Sequence, residues 1–164
     1  VFDGYHYYHQ TACFTDLARA FPGTTMVIDH LGTPLGVGAY QGRQQEIMAQ
    51  WKKDLTELAK CPNVNMKLGG LAMPWCGLGF EADAKPPTSD QFVAKQNDYY
   101  QFAIQAFGPE RCMFESNFPV DKCGVSYAVL WNAFKKIAAP YSEAEKDAMF
   151  RGTAARVYRI AAKA

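Results

Sequence analysis

Apolar and polar residues run along this chain in blocks whose period shifts between two and three-to-four. Short apolar or aromatic runs at residues 1–9, 24–30, 64–68 and 111–116 have the composition of strands. Between them, apolar residues recur three and four apart. The clearest case is 43–60, where Ile47, Trp51, Leu55 and Leu58 fall on one helical face. Further helices are predicted at 12–21, from a capping Ser89 to about Phe107, at 126–138 and at 142–160. Pro22-Gly23, Cys61-Pro62 and Gly108-Pro109 end helices abruptly, whereas the long glycine- and proline-bearing stretches 31–42 and 69–88 follow strands. Strands alternating with helices, with no hairpin turn between them, predict βαβ units and a parallel sheet.

The third strand adds a constraint. Val64, Met66 and Leu68 face one way, toward covering helices, and Asn65 and Lys67 face the other. A doubly wound sheet is covered on both faces and reads apolar on both. A polar second face suits a barrel lumen, and long loops after strands put a site at the C-terminal strand ends. A complete barrel of this kind has eight strands in about 250 residues. The expectation is therefore an α/β chain forming half of a (β/α)8 TIM barrel: four parallel strands with covering helices, in one partial domain over residues 1–164. The opening Val1-Phe2-Asp3, strand-like at once, fits a chain cut from something longer. Open strand edges need covering, so the expected partner is the missing half of the barrel or a second copy of the chain.

Charge and cysteine content narrow the function classes. The 164 residues carry 17 basic and 16 acidic side chains, scattered, for a net charge of +1. No basic cluster predicts a nucleic-acid or anionic-membrane surface, and no apolar run has transmembrane length. Five cysteines without a CxxC spacing argue against a zinc ribbon or a redox motif and suit free thiols in the cytoplasm. The glycine-rich stretch 32–42 lacks phosphate-loop spacing, and no G-x-S-x-G elbow is present. A small-molecule substrate remains.

Three polar residues close three of the strands: His9 in YYHQ, His30 in VIDHLG and Asn117 in FESNFPVDK. The segments YHQ, MVIDHLGTPLG, NVNMKLGGL, GPERCMFESNFPVD and GTAARVYRI, in this order, resemble the C-terminal half of the amidohydrolase superfamily branch that holds TIM-barrel lactonases and related decarboxylases. The likeness runs over essentially the whole chain. It implies strands five to eight of the barrel, with His9 ending the fifth and His30 the sixth, both as ligands of a divalent metal. Zinc is the usual ion, although some lactonases of the branch work without one. It also implies a hydrolase that opens a lactone or related cyclic ester or amide of a small polar molecule by activated water. The first-strand His-x-His pair of the family lies outside this sequence. Asn117 stands where the family motif Ser-Asp-aromatic-Pro has its aspartate.

That replacement matters chemically. A metal lowers the pKa of bound water toward about 7, and a carboxylate then takes a proton from it; an amide has no such basicity. Asn117 is therefore expected to orient water or substrate. Glu115, on the same side and about 7 Å deeper along the strand, is the candidate carboxylate, with Lys67 paired to it or binding substrate. A purely structural Lys67–Glu115 pair is the competing reading. Asp121 is the second candidate base, although a loop carboxylate is ordinarily solvated or capping. Asp29 is expected to face the helices, and His6 leaves the register of YHYYHQ open. Trp75 and Phe80 belong to a lid or to a packed surface loop; Trp51, Leu130, Trp131 and Phe134 are core. The alternative to an enzyme is an inactive incomplete barrel serving as a structural or association unit.

Overall fold

A computed structural model describes residues 1–161. Strands β1 (Phe2–Gly4), β2 (Met26–Ile28), β3 (Val64–Leu68) and β4 (Cys112–Phe114) pair in parallel in the order β1-β2-β3-β4. Helices α1 (Thr11–Ala20), α2 (Gln44–Ala59) and α3 (Ser89–Phe107) form the crossovers. After β4 come α4 (Tyr127–Ile137), α5 (Glu143–Asp147) and α6 (Thr153–Tyr158), the last two joined by one π-helical turn, Ala148–Gly152. This is the expected half of a TIM barrel.

Alternation along the strands separates two faces. Met26, Ile28, Val64, Met66, Leu68, Cys112 and Phe114 point outward into one large core with the helices. Trp51 and Phe92 are fully buried there, and Phe114 stacks on Phe134 and Phe150 with centroids 4.8 and 4.6 Å apart. The inner face is different. Val27 and Met113 meet Val157 of α6, with Ala154 and Tyr158 beside them. The final helix thus folds across the lumen side of the sheet, where Arg156 donates to Asn65 Oδ1 and to the Glu110 carbonyl.

Backbone groups at the strand starts are tied by two polar side chains. Asn63 Nδ2 donates to the carbonyls of Ala18, Phe21 and Thr24, and Arg111 donates to those of Phe107, Cys61, Val64 and Ala59. Each fills acceptors that a helix end leaves open.

Several expected boundaries move. The aromatic run 1–9 is a strand only over Phe2–Gly4, because Tyr8–Gln10 winds into a 3-10 turn that leads directly into α1. The cap of α3 is Thr88 rather than Ser89: its side chain accepts from the Gln91 amide, and Gln91 reaches back to the Thr88 amide. The single helix expected at 142–160 starts on Ser142 as cap but is broken by its π turn.

Trp51 has a second role beyond the core. Its Nε1 donates to the carbonyl of Leu31 at 2.6 Å, and Leu31 sits in the left-handed region at φ 55°. Trp51→Phe keeps most of the apolar volume but leaves that carbonyl buried without a partner. The expected loss is about 2 kcal/mol of stability, read as a lower urea midpoint of unfolding.

Candidate active site

At the C-terminal ends of the strands a pocket of about 410 Å³ is lined by Tyr5, Tyr7, His30, Met73, Trp75, Asn117 and Val120. A neighbouring hollow of about 430 Å³, between Phe80, Phe118 and Tyr127, contains no imidazole; His30 and Asn117 line the first. His30 follows β2 with φ 53°, and Asn117 lies beyond β4 with φ 51°. Left-handed backbone interrupts the strand alternation at both positions.

Behind the pocket wall His30 Nδ1 lies 2.5 Å from Glu115 Oε1, and the backbone N–H of His30 donates to the same oxygen at 3.2 Å. Since His30 follows β2 and Glu115 follows β4, the pair reaches across the end of β3, where Gly69 and Gly70 stand. A Cβ on Gly70 would come within 2.8 Å of three atoms of His30, and one on Gly69 within 2.6 Å of Glu115. Gly70 also has φ 77°, a conformation suited to glycine. The two glycines form the gap through which the pair meets. A carboxylate at this contact holds a proton on Nδ1, so in the neutral ring the lone pair is on Nε2. Burial works against charging His30, but the hydrogen bond and charge of Glu115 outweigh it and raise its pKa. The ring of Tyr5 stands edge-on to His30, centroids 5.4 Å apart.

A second contact lies beside it. Asn117 Nδ2 donates to Asp121 Oδ1 at 2.8 Å, and Asp121 Oδ2 accepts from the Ala72 amide at 3.4 Å. Asp121 is fully buried. Burial pushes its carboxyl up to about 6, against the pull of the Asn117 and Ala72 donors.

Residues 6–160 match the protein family described as Amidohydrolase. The chain belongs to the amidohydrolase family. An uncharacterized protein, y4mH, of Sinorhizobium fredii is 38% identical over 156 residues, 94% of this chain and 45% of its own length. The L-fucono-1,5-lactonase of Burkholderia multivorans is 34% identical over 136 residues, 82% of this chain and 43% of its own. Among solved structures, an amidohydrolase from Burkholderia multivorans with bound zinc superposes with a TM-score of 0.82 at 27% identity, covering 97% of this chain and 52% of that one. The chain therefore spans about half the length of the relatives it matches.

In this amidohydrolase segment the expected site residues separate into three groups. His30, Glu115 and Asn117 come together at the strand ends. His9 does not join them. It is exposed on the Tyr8–Gln10 turn, stacked between Tyr7 and Tyr40 at 6.1 and 6.2 Å, because the strand that was to carry it stops at Gly4. Lys67 lies deeper, on the lumen face. There its Nζ pairs with Asp29 at 2.7 Å and Asp3 at 2.9 Å, not with Glu115 as expected. Tyr158 of α6 closes this cluster with a hydrogen bond to Asp3 and its ring under the Lys67 ammonium. Burial opposes the charge on Lys67, yet its two carboxylates raise its pKa. Asp29 accordingly faces the lumen, two residues beyond Val27, rather than the helices.

Asp121, expected to be a solvated or capping carboxylate, is enclosed and accepts from the Ala72 amide. His6 is packed on Phe14, with Nε2 on Thr11 Oγ1 at 3.1 Å. Trp75 lines the pocket, while Phe80 is buried against Phe92 and forms no lid. Tyr5 and Met73 lay in no motif, and Tyr7 and Val120 lay inside YYHQ and FESNFPVDK without being singled out; the Gly-Gly after β3 is the signal that side chains cross there.

As a metal set, this chain's donors fall short. His30 is the one imidazole lining the pocket and its Nδ1 is taken. Among the described residues, no three His, Cys, Asp or Glu side chains converge to hold an ion. Among the same residues, no helix is long and apolar enough to cross a membrane.

Two outcomes follow from this geometry. Gly70→Ala is expected to force His30 off Glu115, so the ring NMR resonances of His30 lose the downfield Nδ1 proton that a short bond to a carboxylate produces. Asp121 makes its own mark on pH dependence. Its folded pKa lies above the ordinary 3.8, so the folded state holds that proton more tightly. The stability it contributes is full below about pH 4 and is lost as pH rises through about 6. Urea unfolding at pH 4 and 7 is expected to show the protein losing, relative to Asp121→Asn, on the order of 2 kcal/mol across that interval.

Proposed function

We propose that this chain contributes the acid–base half of the active site of a hydrolase that opens a lactone of a small, hydroxyl-bearing molecule by attack of water. The observation that carries the reading is the His30–Glu115 pair at the pocket, with imidazole Nε2 unbound. In the proposed reaction, Nε2 takes a proton from water as its oxygen attacks the ring carbonyl carbon. Glu115 stabilises the resulting imidazolium. The same proton then passes to the ring oxygen as the C–O bond breaks, leaving a hydroxy acid. Asn117 orients the water or a substrate hydroxyl, and Tyr5, Tyr7 and Trp75 wall the ring in. The lactone rests on the relative of that activity from Burkholderia multivorans.

The edges of β1 and β4 carry no further strand among the described residues. The proposal includes a second set of strands closing the barrel on them, from the same protein or from a second copy. Reading the chain as an inert association unit gains no support from the site. Such a unit has no need of a His–Glu pair brought through a glycine gap onto a pocket.

The test is a panel of sugar-acid lactones, followed by release of acid. His30→Asn and Glu115→Gln are each expected to lower kcat/KM by about 100-fold or more. Unchanged turnover in either variant removes that residue from the reaction, and no turnover of any lactone by the unsubstituted protein removes the reading.

A further inference from the structure

Asp121 has no role in the reaction just described. It is fully buried, both of its oxygens are occupied, and it lies beneath Asn117 rather than on the pocket. Its contacts nevertheless decide something about a residue that does line the pocket. A carboxamide has a donor end and an acceptor end of nearly the same shape, so packing alone does not choose which way it points. A carboxylate chooses, because it has only lone pairs to offer. The 2.8 Å contact to Asp121 Oδ1 must therefore come from Asn117 Nδ2. The Asp121 N–H donates back to the Asn117 carbonyl at 3.1 Å, which closes a ring between the two residues. The Ala72 amide holds the second carboxylate oxygen. With the donor end turned inward, Asn117 Oδ1 is left for the pocket.

We propose that Asp121 is a positioning residue: it locks the Asn117 carboxamide with its carbonyl oxygen toward the pocket, so that the site recognises an O–H donor, the attacking water or a substrate hydroxyl. What that acceptor does in turnover rests on the lactone-hydrolase reading; the orientation itself does not. Asn117 then supplies an uncharged acceptor at the position where the family motif has a carboxylate.

Orientation and function are tested separately. In protein labelled with 15N, one side-chain amide proton of Asn117 is expected downfield and protected from exchange, and that signature is lost in Asp121→Asn. Kinetically, Asp121→Asn and Asn117→Asp should each lower kcat by about 10-fold or more with KM within about threefold. The exchanged pair N117D/D121N restores one donor facing one carboxylate, so it should recover to within about threefold of the unsubstituted protein. A role in packing alone predicts no such recovery. An unprotected Asn117 amide overturns the orientation, whatever the variants do. Full activity in Asp121→Asn, or an exchanged pair no better than the worse single variant, overturns the positioning role. A protected amide in a protein that opens no lactone leaves the orientation standing and removes the hydrolase reading instead.

Discussion

Neighbouring strands in a sheet stand about 4.8 Å apart, so side chains from the first and third of three strands meet only where the middle strand gives way. In this chain the middle strand, β3, ends in Gly69-Gly70, and neither position has room for a Cβ beside Glu115 or His30. The rest of the site depends on that gap. It brings the imidazole of the β2 end onto the carboxylate of the β4 end and fixes which nitrogen bears the proton. The backbone cooperates: His30 and Leu31 are both left-handed, and the Leu31 carbonyl is held from behind by Trp51. A core tryptophan and two glycines therefore position a histidine that none of them resembles chemically.

The lumen side of the sheet carries two ionic groups at different depths, and their separation is itself a consequence of pairing. Lys67 is satisfied by Asp3 and Asp29 and covered by Tyr158 from the final helix. With its own carboxylates at hand, it does not draw Glu115 away from His30. Had Lys67 taken Glu115, the imidazole would have lost both its tautomer and its orientation. The lower group, with Lys67 two residues below the level of Glu115, ties α6 across the open lumen; the upper one faces the pocket. Burial of Val27 and Met113 under Val157 keeps apolar material on the same face as these charges.

How much of this was legible in the residues follows from what each signal measures. The four strands and their helices were readable because alternation in β3 and the apolar face of 43–60 are periodic, and periodicity survives without knowledge of neighbours. Strand lengths were not. An aromatic run such as YHYYHQ has strand composition, yet its hydrogen bonds go to a 3-10 turn, and His9 leaves the site with it. Pairing partners were misread where alternation was extended past a strand end: Asp29 continues the alternation of β2 and faces inward, whereas His30, one residue on, has left it. Lys67 was correctly turned toward the lumen, but periodicity has no way to rank Glu115 against Asp3 and Asp29 as its partner. That depends on register between strands, which fixes heights across the sheet. Asp121 was misjudged because its burial comes from the Ala72 segment, distant in sequence.

The amide at position 117 looks at first like the loss of a catalytic carboxylate, but the charges around it argue otherwise. Glu115 and Asp121 already put two carboxyls near one imidazole, with burial raising the Asp121 pKa. A carboxylate at 117, at hydrogen-bond distance from Asp121, would be a like charge against a buried one, and one of the two would have to bind a proton. An amide avoids this because its donor end faces the buried acid while its acceptor end remains for the pocket. Asn is also among the residues that best tolerate the left-handed backbone found there. Asn117 and Asp121 are thus one unit, each accounting for the presence of the other.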